Sequence, residues 1–220
     1  MDKGDGEMSL VNYHESYGFD SLQKTSWWYD DFEGDSIKDY WRLDGIGSGT
    51  VVDGITGAAV RLLTGATTNN YHSFDWNSIR SLLASKNIAL EWRLKLETIE
   101  DIKINITGLE NTGADNLYVN YDPASGDTVW NINHNCTTGG GAIDVSTGVA
   151  PDTEWHNFRI QCHTHGAIHA HFYIDDDPTD NSPVTTGIPA LYFDPNFNIA
   201  TKEDVAHYMD IDYIAWRQDR

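Results

Sequence analysis

WHNFRIQCHTHGAIHAHFYI, residues Trp155–Ile174, is the stretch whose pattern decides the fold. It contains two alternating runs. Phe158, Ile160 and Cys162 share one parity, with Arg159, Gln161 and His163 on the other. Ile168, Ala170, Phe172 and Ile174 then alternate with His169, His171 and Tyr173. A period of two belongs to a strand with one face in a core and one in water. Thr164-His165-Gly166 separates the runs and supplies a turn with a glycine. The stretch therefore reads as a β-hairpin with its apolar parity turned inward.

The same alternation recurs on both sides. Ile88, Leu90, Trp92, Leu94 and Leu96 alternate with Ala89, Glu91, Arg93, Lys95 and Glu97. Ile102, Ile104 and Ile106 alternate with Lys103, Asn105 and Thr107, and Leu117 and Val119 with Tyr118 and Asn120. Further strands are expected over residues 50–52, 58–64, 71–74, 129–134, 142–145, 191–193 and 209–216. Gly45–Gly49, Pro123–Asp127 and Gly139–Gly141 read as turns, and a helical turn competes only over Ser78–Ser85. About a dozen strands separated by turn signals predict an all-β, antiparallel two-sheet jelly-roll sandwich. Residues 1–26 lack periodicity and read as an extended N-terminal arm before one domain, 27–220.

Charge narrows the partners. Thirty-four acidic residues against fourteen basic ones give a net charge of −20, which repels nucleic acid phosphates and anionic membranes. Such a surface suits high-salt solubility, divalent cations or a basic partner. No apolar run approaches the roughly 18 residues of a membrane span, so no membrane insertion is expected. The opening MDKGDGEMSLVNYHESYGFD has no basic start followed by an apolar core, so export by a signal of its own is not expected. Cys136 and Cys162 fall in apparent strands, as two reduced buried thiols or one cross-sheet bridge.

The order of DDFEGDSIKDYWRL, IALEWRLKL, WHNFRI…IHAHFYIDD and MDIDYIAW, over residues 27–216, resembles the concanavalin A-like lectin/glucanase superfamily, including its laminin-G-like members. The resemblance implies two curved sheets with the first and last strands adjacent. It places a glycan groove on the concave sheet and the hairpin on the opposite, convex one. Catalytic members carry E-x-D-x-E on a concave strand, where paired carboxylates serve as nucleophile and acid. Here the strand expected to hold that motif reads Glu91-x-Arg93-x-Lys95, and Asp101-x-Lys103-x-Asn105 is no closer. The paired Arg/Glu and Gln-x-His patterns of the superfamily's lyases are also missing. The resemblance further implies a Ca²⁺ site where the first and last strands meet, through Asp212 with Glu33 or the Gly45 region.

Three groups of side chains are candidates. Arg93, Lys95, Asn105, Tyr118, Asn120, Asn131 and Asn133 would form the polar face of a central sheet, with planar amides and guanidinium for paired hydroxyls and a ring for a pyranose. His163, His169 and His171 share the outward parity of the hairpin, with His165 in its turn, and could chelate a transition metal or respond to acid. Asp212 and Glu33 are the metal candidates. The expected function is a non-catalytic, lectin-like structural or glycan-binding protein of a virion (head decoration or tail fibre), assembled in the host cytoplasm. Its partners would be a glycan, other virion proteins, or further copies of itself through the arm. The alternatives are a secreted or extracellular polysaccharide hydrolase or lyase using Glu91, Tyr118 and His134, and a binding module cut from a larger enzyme.

Overall fold

In the computed structural model, residues 25–55, 57–76, 82–112, 115–136, 143–164, 167–188 and 192–219 are described. They form two eight-stranded antiparallel sheets stacked face to face. The first, the hairpin sheet, is built on β12 (His156–His163) and β13 (His169–Ile174). Its order runs β14 (Asp177–Pro178), β13, β12, β7 (Ala89–Leu96), β16 (Tyr208–Asp219), β4 (Ala58–Thr64) and β3 (Gly47–Asp53), with β1 (Thr25–Asp30) also paired to β16. The second, the amide sheet, runs β11 (Ile143–Ser146), β10 (Asn131–Asn135), β9 (Asp115–Tyr121), β8 (Ile102–Thr112), β15 (Tyr192–Thr201), β5 (Tyr71–Asp75) and β2 (Arg42–Gly45). β6 (Leu82–Leu83) adds to β15. None of the described helices is long and apolar enough to cross a membrane.

The alternation works as expected. Phe158, Ile160, Cys162, Ala170 and Phe172 are buried between the sheets, and Ile168 packs on the same core. Trp92 stacks on Phe158 at 5.5 Å, and Trp130 meets Phe158 edge-on at 5.1 Å. Phe197 of β15 meets Trp92 edge-on at 5.8 Å. These rings tie the two sheets together, each pair adding about 1 kcal/mol beyond the area it buries. Both cysteines are buried thiols with no disulfide between them, and burial pushes the Cys162 thiol up to about 12.

The first strand pairs along its whole length with the second half of the last, from Thr25 opposite Asp219 to Asp30 opposite Ile214. Strand β1 begins at Thr25, so the last two residues of the expected arm belong to the sheet, and residues 1–24 lie outside the described set. Asp30 anchors the loop that follows. Its carboxylate accepts from the Phe32 N–H at 2.9 Å, Lys38 Nζ at 3.0 Å, Tyr40 Oη at 2.7 Å and Trp41 Nε1 at 3.0 Å. Burial alone would raise its pKa, but these donors more than offset that and hold it below the usual value.

Four expectations are corrected. The strand of Glu91, Arg93 and Lys95 was placed across the sandwich from the hairpin, but β7 pairs directly with β12, Trp92 opposite Phe158 and Leu90 opposite Ile160. Its parity is right and its sheet is wrong. The short strand expected over 191–193 is the ten-residue β15, which passes through the buried Pro195 in mid-sheet. Gly45–Gly49 is a crossing between sheets: Gly45 ends β2 and Gly47 begins β3. At Gly45, with φ +109°, a side chain would strike the Tyr71 carbonyl. Of Ser78–Ser85, Leu82–Leu83 is a strand and Ala84 opens a short 3-10 turn; residues 78–81 fall outside the described set.

Candidate functional site

Strand register places asparagines in rows across the outer face of the amide sheet. Asn131 faces Asn120, Asn133 faces Tyr118 and Asn135 faces Asn116 between β10 and β9. Tyr118 then faces Gly108 on β8, Gly108 faces Asn196 on β15, and Asn196 faces Asp75 on β5. Asp144 of β11 and Arg42 of β2 close that row at its two ends. With Asn105 and Asn198, eight of the chain's sixteen asparagines lie on this one face. The cause is local: each lies on the polar parity of a strand whose other parity is core, as with Leu117 and Val119 or Phe197 and Ile199.

The amides hold one another in place. Asn105 Nδ2 donates to Asn198 Oδ1 at 2.6 Å, and Asn196 Nδ2 donates to Glu110 Oε2. With its amide nitrogen turned toward Asp144, Asn120 donates to Asp144 Oδ1 at 3.2 Å and to the Asn131 carbonyl at 3.0 Å. Arg42 grips Asp75 Oδ2 through Nε at 3.1 Å and Nη2 at 2.7 Å. Tyr118 is half-buried at the middle. Burial, helped by the charges of Asp144 and Glu110, pushes its phenol up to about 12. Asp144 reaches solvent, yet its surroundings raise its carboxyl, burial first and the Asp127 charge after it. The face can therefore donate and accept many hydrogen bonds around one ring, and near neutral pH Tyr118 is a phenol, not a phenolate.

The expected polar face is divided between the sheets. Asn105, Tyr118, Asn120, Asn131 and Asn133 are together on the amide sheet. Arg93 and Lys95 are on the outer face of the hairpin sheet, where Arg93 Nη1 lies 3.8 Å from Asp212 and its guanidinium is 6.0 Å from the Trp155 ring. Lys95 is opposite Asp210. Asn116, Asn135, Asn196, Asn198 and Glu110 were missed, although the alternation of Phe193, Pro195, Phe197 and Ile199 with Asp194, Asn196 and Asn198 was there to be read.

The acid–base trio does not converge. Glu91 is buried on the outer side of the hairpin sheet, accepts from Tyr213 Oη at 2.7 Å and lies 4.0 Å from Arg159. His134 has the inward parity of β10 and is buried, which lowers its pKa. Tyr118 faces outward on the other sheet.

His163, His169 and His171 do cluster, with ring centroids 5.1–5.4 Å apart, and His171 stacks on Tyr173 at 6.1 Å. His165 is outside the described residues. Asp212 is fully buried, and its Oδ1 accepts from the Ile55 N–H at 2.6 Å. A side chain on Gly54 would collide with that oxygen. Glu33 is exposed beside Gly57. Among the described residues, no group of three or more His, Cys, Asp or Glu could hold a metal ion.

Neither a protein-family model nor a curated protein sequence matches the chain. Solved structures do. An endo-β-1,4-glucuronan lyase from the fungus Trichoderma reesei superposes with a TM-score of 0.62 at 11% identity, over 86% of this chain and 94% of its own. The Emp47p carbohydrate recognition domain gives 0.58 at 9% identity, over 90% and 98%. A carbohydrate esterase from the Shiga toxin-encoding bacteriophage phi24B gives 0.53 at 17% identity, over 82% and 90%. At these identities the likeness concerns the fold. The two stacked sheets, the paired first and last strands and these neighbours together give the chain the concanavalin A-like lectin/glucanase fold.

Proposed function

We propose that this chain is a non-catalytic glycan-binding protein that uses the outer face of its amide sheet, and that it serves as a structural component of a virion. The observation that carries the binding reading is the row Asp144–Asn133–Tyr118–Gly108–Asn196–Asp75–Arg42, in which amides and one ring lie level across the sheet. Amides match the paired hydroxyls of a sugar, and the half-buried Tyr118 ring offers a surface for a pyranose. Structural neighbours that bind or act on carbohydrates lend support. Asn116, Tyr118 and Asn120 on β9 offer no nucleophile, and a phenol raised to about 12 is a poor base near neutral pH. The virion reading has one supporting neighbour, the phage esterase. In this reading residues 1–24 tie copies together or to other virion proteins.

A glycan array read alongside assays for new reducing ends and unsaturated sugars tests the first part. Glycan retention with no product is expected, and sustained turnover overturns it. For the second part, neighbouring genes for capsid or tail proteins are expected, and a locus of metabolic genes overturns it. Deleting residues 1–24, which leaves β1 whole, should reduce the oligomer seen by light scattering. An unchanged oligomer removes the tethering role.

A second reading, polysaccharide cleavage, has one observation in its favour. Glu110 and Asp194 face each other across β8 and β15. Cross-strand partners on one face have Cβ atoms about 5 Å apart, which puts two carboxylates side by side as a retaining pair requires. Under that reading Glu110→Gln and Asp194→Asn would each abolish whatever turnover the product assays detect.

A further inference from the structure

At its buried floor the amide face has spare hydrogen-bonding capacity of one kind. Three of its outward-facing side chains carry a buried oxygen with no partner: Asn116 Oδ1, Asn196 Oδ1 and Asp75 Oδ1. Asn116 and Asp75 are themselves 3% and 4% exposed, so these atoms lie at the floor of the face. Among the described residues no donor on this face is left over in the same way. An unmatched buried acceptor keeps the cost of its lost water, which a ligand's donor can recover. The charges lean the same way. The strands present Asp44, Asp75, Glu110, Asp144 and Asp194 outward against only Arg42 and Lys103, five carboxylates to two cations. Arg42 is committed to Asp75 at 2.7 Å, and Lys103 to Asp122 at 2.8 Å. A uronate would bring its own carboxylate onto this surface. A sugar amine would bring charged donors to it.

Resting on the glycan-binding reading, we propose that the face recognises a hexosamine polymer with free amino groups, a chitosan-like chain, its ammonium groups donating to Asn116, Asn196 and Asp75. A neutral glycan can offer hydroxyl donors to the same oxygens, but without the charge that strengthens each bond. Acetylation removes that charge and adds bulk at the same atom. The selectivity therefore lies in the amine.

Calorimetric titration of the full chain with four hexamers tests this: glucosamine, N-acetylglucosamine, cellohexaose and a glucuronate oligomer, at mildly acidic pH, where the amines are charged. The glucosamine hexamer should bind about tenfold more tightly than its acetylated form, and the glucuronate oligomer should bind least. Asn116→Leu and Asn196→Leu should each bring the glucosamine affinity down to that of the acetylated hexamer. Two variants are used so that misfolding of one is recognised from the other. Asp35→Asn with Glu154→Gln, exposed carboxylates away from the face, should change nothing. Equal binding of the glucosamine and acetylated hexamers, or strongest binding of glucuronate, overturns the amine preference and leaves the glycan reading standing. A similar loss in the Asp35/Glu154 variant means general attraction to an acidic protein and also overturns it. No binding of any hexamer overturns the glycan reading itself.

Discussion

On the outer face of the hairpin sheet charges are held against one another, whereas on that of the amide sheet they are scattered among amides. Arg61 locks Asp210 through two bonds of 2.8 Å and lies 3.7 Å over the Tyr208 ring. Arg159, 3% exposed, lies 4.4 Å over the Tyr173 ring, near Glu91 and Asp176. Glu91 in turn holds the buried Tyr213, whose phenol is pushed far up by burial and by that carboxylate. Charges removed from water this thoroughly are bound to the fold, since their desolvation is repaid only while the partners stay. Across the sandwich, Asn131, Asn133, Asn135, Asn196 and Asn198 are only partly buried. A neutral amide loses less on desolvation than an ion does, so it can exchange water for a ligand at modest cost. Polarity alone does not mark a site; what matters is whether its hydrogen bonds are already spent.

Substitution should expose that difference most plainly. Glu91→Ala removes the acceptor of a buried phenol and a charge facing Arg159, and should cost about 3 kcal/mol. Asn133→Ala should cost about 0.5 kcal/mol or less. Urea unfolding compares them directly, and equal losses would end the division between a structural face and an available one.

The response to pH should divide by sheet as well. His72 of β5 is 4% exposed with neither ring nitrogen partnered, and burial lowers its pKa, with Asp44 pulling weakly the other way. The unfolded chain therefore takes up a proton near 6.5 that the folded chain refuses, and stability falls as pH drops through that value. His134, also lowered, acts in the same direction. His156 on the hairpin sheet is opposite. Burial lowers its pKa, but hydrogen bonds to Asp175 at 2.6 Å and Asp152 at 2.9 Å raise it overall. Its contribution is present below about 6.5 and is lost as pH rises through its own raised pKa. Thermal melts across pH should show His72→Phe losing part of the acid destabilisation. His156→Gln should be destabilised in acid and close to neutral in base. Parallel shifts at every pH would contradict both assignments.

Parity was legible from the residues. The inward sets of β7, β12 and β13 and the outward asparagines of β9 and β10 follow from a period of two with few exceptions. Which sheet each strand joins was not. Both sheets turn a polar parity outward, so Arg93 and Asn105 look alike along the chain, and only the pairing of Trp92 with Phe158 separates them. Strand β15 was hidden for another reason. Pro195 cannot donate to a ladder and argues locally against a central strand, while Asp194, Asn196 and Asn198 mimic turn chemistry. The burial of Phe193, Phe197 and Ile199 against the opposite sheet overrides that local preference.

Two smaller effects sharpen the comparison at the binding level. Tyr118→Ala should weaken glycan binding about tenfold while costing roughly 1 kcal/mol of stability, because the ring is only partly buried and its neighbours are amides. Lys95→Ala should be the quietest change. Lys95 has the outward parity of β7, faces Asp210 across the ladder, and Asp210 is already held by Arg61 at 2.8 Å. Removing one partly exposed cation from a pair that has a better partner should shift stability by no more than about 0.5 kcal/mol. Since the residue lies on the sheet opposite the asparagine rows, glycan affinity should not move. Calorimetry with whichever glycan the array selects provides the check. A severalfold loss of affinity in Lys95→Ala with Tyr118→Ala unchanged would move the site to the hairpin sheet.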